Sequence, residues 1–245
     1  MAQPGFAAAS GGSSGEECPP TRARVPALEN GDRLTRCEFE RRYAARPDLK
    51  KAQLIEGIVY MPSPVSLAHS GPHAMIQGLF LVYSAFTSGV RCDDNATVRL
   101  DLDNEPQPDV LLRIDPDAGG RCRVSGDNYL EGAPELVVEV AVSSTSIDLH
   151  DKLRAYRRNG VQEYVVWRTR EARIDWFELV EGEYRPLAPD DAGVVHSRVL
   201  PGLRLAVAAL LNGDLAGALA EVQKGVGTPE HEAFVARLAE KRSSV

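Results

Sequence analysis

The chain has 245 residues, 43% hydrophobic and 26% charged, with a formal net charge of −7. That length suits one substantial core, the composition is that of a globular protein, and no apolar run is long enough to span a membrane. The acidic balance argues against a broad basic surface that binds nucleic acid non-specifically, so any such contact is expected to be local or metal-assisted.

Residues 1–30 are rich in Gly, Ser, Ala and Pro with no apolar period, the composition of a disordered leader. The N-terminus has neither a cationic stretch nor a continuous apolar one, so it does not read as a secretory signal and a cytoplasmic location is expected. Cys18, Cys37, Cys92 and Cys122 form no C-x-x-C pair, which suggests neither a zinc knuckle nor a disulfide framework, and reduced thiols are expected. One main domain is expected over 31–205, followed by a peripheral helical tail over 206–245.

Structure should begin at LTRCEFERRYAA, where Thr35 and Glu38 have capping-box spacing and Leu34 and Phe39 suit a hydrophobic staple. AQLIEGIVYMP reads as a strand turning through Gly57, and Pro72 opens an apolar helix through HAMIQGLFLVYSAF. GVRCDDNATVRLDL supplies one or two strands with a turn near Asp94 and Asn95. PDVLLRI and PELVVEVAV are short apolar runs of the kind buried on both faces of a central sheet. Ser143 to Ser146 offer N-caps for the helix IDLHDKLRAYRRN, which Gly160 ends. VQEYVVWR returns as a strand, and EARIDWFELVEGEYRPL as two more joined at Glu181 and Gly182. The order is that of an α/β or α+β protein with one mixed central sheet.

The chemistry concentrates in acids set among apolar neighbours. Glu139 lies inside LVVEVAV, where an unpaired charge would cost several kcal/mol or force protonation, so a basic partner, a bound cation or solvent at the strand end must compensate it. Asp109 repeats the situation at the mouth of VLLRI, and two acids on adjacent strands suit a hard divalent cation such as Mg²⁺, which needs only one or two carboxylates. Lys152, three residues after Leu149, flanks the buried face of the next helix and can reach toward Glu139, although a solvated helix lysine is the plain alternative. Glu56, in QLIEGIV, is a further candidate ligand or a strand-end acid beside a glycine turn. His69 and His73 have the four-residue spacing of helical metal ligands, but Gly71 and Pro72 between them argue against a continuous helix and against zinc. No P-loop, dinucleotide-binding or serine-hydrolase motif is present.

Taken in order, L-I-E-G-I-V, S-L-A-H-S-G-P-H, Q-P-D-V, P-E-L-V-V-E-V-A-V-S-S-T-S, D-K-L-R-A-Y and G-V-Q-E-Y-V-V-W resemble the Uma-type (Uma-two) family of restriction endonucleases, a branch of the PD-(D/E)xK nuclease superfamily. The resemblance runs from about residue 34 to the P-G-L at Pro201 to Leu203. It implies a restriction-endonuclease-like mixed central sheet flanked by helices, dependence on Mg²⁺ or Mn²⁺, phosphodiester hydrolysis and, often in the family, a homodimer. It makes Asp109 the acid of the P-D motif, Glu139 the following acid and Glu56 the acid of the earlier element. Two residues after Glu139 the superfamily pattern expects a lysine where Ala141 stands; Lys152 matches a lysine supplied from the next helix.

The expected function is therefore a metal-dependent DNA endonuclease in which Asp109 and Glu139 bind the ion, Lys152 assists the attacking water and Glu56 supports them. Lys152, Arg154, Arg157 and Arg158 would give a basic helix for phosphates, or simply a solvated face. The alternative is a catalytically inactive binding protein that keeps the nuclease fold, motivated by the acidic charge and the lack of a recognition module.

Overall fold

The computed structural model describes residues 25–62 and 64–244. The expected leader lies mostly outside the described residues, but Leu28 within it is buried with Phe39 and Leu54.

Helix α1 (Arg36–Ala44) precedes a hairpin of β1 (Gln53–Ile55) and β2 (Ile58–Tyr60), then the long helix α2 (Leu67–Phe86). Strands β3 (Val90–Asp94), β4 (Val98–Arg99), β5 (Val110–Ile114), β6 (Arg123–Val124), β7 (Leu130–Glu131) and β8 (Leu136–Ala141) follow. A helical segment is built from α3 (Thr145–Ile147), a π turn (Asp148–Lys152) and α4 (Leu153–Asn159). The chain ends with β9 (Glu163–Arg168), β10 (Arg173–Val180), β11 (Glu183–Pro186), β12 (Val194–His196), β13 (Arg204–Ala206), α5 (Val207–Leu211), α6 (Leu215–Val226) and α7 (Pro229–Ser243).

The central sheet has six strands in the order β11-β10-β9-β8-β5-β3. β8 and β9 run parallel while their outer neighbours pair antiparallel, so the sheet is mixed as expected. The unbroken apolar runs that predicted buried strands occupy its middle, and every residue of β8 is buried.

Successive side chains on a strand point to opposite faces, and the two cores follow that period. Val110, Leu112, Val138 and Val140 pack with Ile76, Leu79 and Phe80 of α2. Leu111, Val137, Ala141 and Val166 pack with Tyr156 of α4 on the other side. Glu139 shares the alternation of Val137 and Ala141, so its carboxylate enters the layer beneath α4.

Both two-residue turns, Glu56-Gly57 and Glu181-Gly182, have positive φ at each position. That is the mirror-image turn whose twist matches a hairpin, and glycine adopts it without a Cβ penalty.

Several local expectations are corrected. α2 starts at Leu67, five residues before Pro72, and carries that proline inside it. A proline near the start of a helix forfeits one hydrogen bond, and the buried face from Ile76 onward compensates it. The Thr35 side chain makes no capping bond, and the Glu38 carboxylate that would complete the box binds Arg41 and Arg42 instead. Ser144 likewise caps nothing; its hydroxyl donates to Asp148 Oδ2 at 2.5 Å. Among the described residues Cys92 and Cys122 are free thiols.

The helices after Val207 are not peripheral. Leu210, Ala218, Val222, Phe234 and Leu238 are buried in the same cluster as the α2 residues, and a large apolar side chain buried this way contributes about 1.5–3 kcal/mol. No helix among the described residues is long and apolar enough to cross a membrane.

Candidate active site

The β5 and β8 strands bring two acids to one end of the sheet. Val110 pairs with Val138, which places Asp109 next to Glu139 along the continuing register. Asp109, 5% exposed, reaches across to β8, where the Val140 amide donates to its Oδ2 at 2.7 Å. His69 Nε2 lies 3.2 Å from the same oxygen. Oδ1 has the Lys51 ammonium 4.0 Å away. Burial pushes the Asp109 carboxyl up, but the His69 bond, the nearby Lys152 charge and the Val140 amide outweigh it and hold the group down at about 2.

Glu139 is 3% exposed and both of its oxygens are occupied. The Tyr156 hydroxyl donates to Oε1 at 2.8 Å, and Lys152 Nζ lies 2.7 Å from Oε2. Burial pushes Glu139 up to about 7 against the pull of Lys152, with Asp148 and Asp109 adding to the rise. Burial also lowers the affinity of Lys152 for its proton, yet Glu139, Asp148 and Asp109 together reverse that and hold the ammonium charged.

The π turn is what delivers Lys152 to this point. It spans Asp148 to Lys152 with both residues buried, and Lys152 Nζ lies 3.3 Å from Asp148 Oδ1. That second contact is one of charge; Asp148 Oδ1 accepts no hydrogen bond. The Tyr164 hydroxyl fastens the turn by donating to the Asp148 carbonyl at 2.9 Å. A widened turn of this kind inside an α-helix is often found at functional sites.

Of the four residues singled out in the sequence, the structure joins Glu139 and Lys152 directly and sets Asp109 beside them. Glu56 sits in the β1–β2 turn, and its partners are Arg158 and Asn104 rather than any of these three. Asp148 and Tyr156 were missed, although Asp148, Lys152 and Tyr156 recur at intervals of four, the spacing of one helical face.

The histidines also come to this place. His73 Nε2 lies 3.1 Å from the Asp109 carbonyl oxygen and 2.8 Å from Asp94 Oδ1. The ligand atoms of His69, His73 and Asp109 all lie within 4.8 Å of one another, the one such group of three or more among the described residues.

The expected basic helix is neutralised. Arg154 pairs with Asp151, Arg157 with Glu183, and Arg158 with Glu56 and Asp101, while Lys152 is buried. Exposed pairs of this kind are worth little to stability, but they leave no free row of cations for phosphates. A cleft of about 780 Å³ elsewhere is lined by Arg198, Arg204 and Arg237 and contains no member of the acidic site.

The crystal structure of "a putative nuclease belonging to DUF820 from Anabaena variabilis ATCC 29413" is similar to this chain with a TM-score of 0.53 and 15% sequence identity, covering 66% of this chain and 89% of that one. At that identity the likeness is one of fold. No curated protein matches the chain. The family described as "Uma2: Putative restriction endonuclease" matches residues 37–208, a span that contains β5, β8, the π turn and every residue of the site. The match covers well over half of the sequence, and the chain belongs to the Uma2 family.

Proposed function

We propose that the protein is a metal-dependent endonuclease that hydrolyses DNA phosphodiester bonds at Asp109, Glu139 and Lys152. The observation that carries this reading is the buried ammonium of Lys152, 2.7 Å from Glu139, beside an acid at the mouth of the adjacent strand. Family membership and the nuclease fold support it.

Asp109 fits the role of cation ligand, because its hydrogen bonds from His69 and Val140 fall on Oδ2, leaving Oδ1 to face the Lys51 ammonium at 4.0 Å, and two imidazoles stand beside it. A divalent cation held there supplies positive charge for phosphoryl oxygens and acidifies water. Glu139 is committed to Lys152 and Tyr156, so its part is to hold the ammonium in place. An ammonium has three N–H donors. Glu139 takes one, leaving Lys152 able to orient a water or to donate to a phosphoryl oxygen as charge develops on it. The expected homodimer would offer one such site to each strand of a duplex.

Purified protein is expected to nick supercoiled plasmid with Mn²⁺ or Mg²⁺ and to stop when EDTA is added. A second reading, an inactive nuclease-fold binding protein, is favoured by the pairing of Arg154, Arg157 and Arg158 with acids. Absence of cleavage of supercoiled, linear and single-stranded DNA under every metal condition would move the balance to it.

A further inference from the structure

We infer that His69, His73 and Asp109 form a mixed nitrogen and oxygen site that selects a borderline divalent ion, of the Mn²⁺, Co²⁺ or Zn²⁺ kind, over Mg²⁺. The inference deepens the nuclease reading and rests on it only in taking this ion to be the one used in cleavage.

The sequence argued against a histidine site because Gly71 and Pro72 separate the two imidazoles. α2 instead runs unbroken from Leu67 to Phe86. His69 and His73 are therefore four apart on one helical face, where side chains stack one above the other. Their rings meet edge to face with centroids 5.6 Å apart. Both Nε2 atoms turn toward Asp109, one to its carboxylate and one to its carbonyl.

The availability of donors decides which ion this place prefers. Glu139 holds the Lys152 ammonium 2.7 Å from one oxygen and the Tyr156 hydroxyl on the other, so a cation brought to it would lie against that like charge, which opposes recruiting it. The His69 and Val140 hydrogen bonds both fall on Asp109 Oδ2, and the Lys51 ammonium lies 4.0 Å from Oδ1. His69 Nδ1 is buried with no hydrogen-bond partner, so the present contacts leave that imidazole incompletely satisfied. Asp94, 2.8 Å from His73 Nε2, lies close enough to serve as a further oxygen donor. The accessible set is thus two imidazoles and one carboxylate. Mg²⁺ demands oxygen ligands and gives up water reluctantly, whereas imidazole suits transition metals and zinc.

The test is metal binding by the full-length protein, measured by calorimetry with Mn²⁺, Co²⁺ and Mg²⁺ separately and read beside plasmid nicking. Mn²⁺ and Co²⁺ are expected to bind at least about ten-fold more tightly than Mg²⁺, and His73→Gln and His69→Gln each to weaken them by about 10- to 100-fold. Paramagnetic broadening of the two imidazole resonances by Co²⁺ gives a readout on the unaltered protein, independent of how the variants fold. Equal affinity for Mn²⁺ and Mg²⁺, with no loss in either variant and no broadening, would overturn the site. Tight histidine-dependent binding without any cleavage would uphold the site and remove the nuclease reading. Mg²⁺-driven cleavage indifferent to both histidines would do the reverse.

Discussion

Replacing Lys152 with Met is expected to destabilise the protein by about 3–5 kcal/mol at neutral pH, the cost of breaking a buried ion pair from one side. Met matches the aliphatic stem in volume, so the loss is electrostatic rather than a cavity. Glu139 and Asp148, at 3% and 1% exposure, would be left without their cation. Thermal unfolding reads the effect, at roughly 2–4 °C per kcal/mol for a chain of this size. The pH dependence follows in sign. Without Lys152 the folded-state pKa of Glu139, already raised by burial, rises further above its unfolded value, so the folded state binds that proton more tightly than the unfolded one. The variant's deficit is then largest above the folded Glu139 pKa and shrinks as pH falls toward the ordinary carboxylate range, where Glu139 is neutral. Adding Glu139→Gln to Lys152→Met should restore part of the loss, because the two residues are coupled and their effects are not additive. A Lys152→Met variant as stable as the parent at pH 7.5 would mean that the ammonium is not what neutralises this cluster.

Glu139→Gln is expected to lower the rate of DNA cleavage by on the order of 10²- to 10³-fold, the scale seen when one preorganised charged contact of a transition state is lost. The amide keeps the shape of the side chain but no longer pins the ammonium, whose remaining acid, Asp148, lies 3.3 Å away in poor hydrogen-bond geometry. Tyr156→Phe removes only a neutral donor from the other Glu139 oxygen. A hydrogen bond to a charged acceptor is worth about 1.5–3 kcal/mol, but its loss leaves the Lys152 pair in place, so its effect on the rate should be smaller than that of Glu139→Gln. Single-turnover nicking of plasmid at saturating protein separates the two. The account fails if Glu139→Gln cleaves as fast as Tyr156→Phe.

The sheet was legible because burial writes itself into uninterrupted apolar runs. VLLRI and LVVEVAV became β5 and β8, and the two Glu-Gly pairs became hairpin turns. The charged residues of the site stood out for the same reason, since Glu139 interrupts a strand that is otherwise wholly apolar. What could not be read were contacts decided at long range. Arg157 and Arg158 looked like a free cationic face, but their partners Glu183, Glu56 and Asp101 lie on distant segments. The π turn leaves no mark in residue type, so Asp148 passed as an ordinary helix residue. By local propensity Pro72 marks a helix start, but the packing of α2 carries the helix through it, and the alignment of His69 with His73 follows only from that packing. The C-terminal helices read as peripheral in the sequence, because periodicity says that a face is apolar but not which surface receives it.

The most direct test of the central claim is a plasmid-nicking assay that compares the parent protein with Asp109→Asn, each with Mn²⁺, with Mg²⁺ and with EDTA, after circular dichroism has shown that both are folded. The account predicts metal-dependent nicking by the parent, abolished by EDTA, and none above background from Asp109→Asn. Equal nicking by the folded Asp109→Asn variant would contradict it, because the activity would then have to reside somewhere other than the acid and lysine cluster at the ends of β5 and β8.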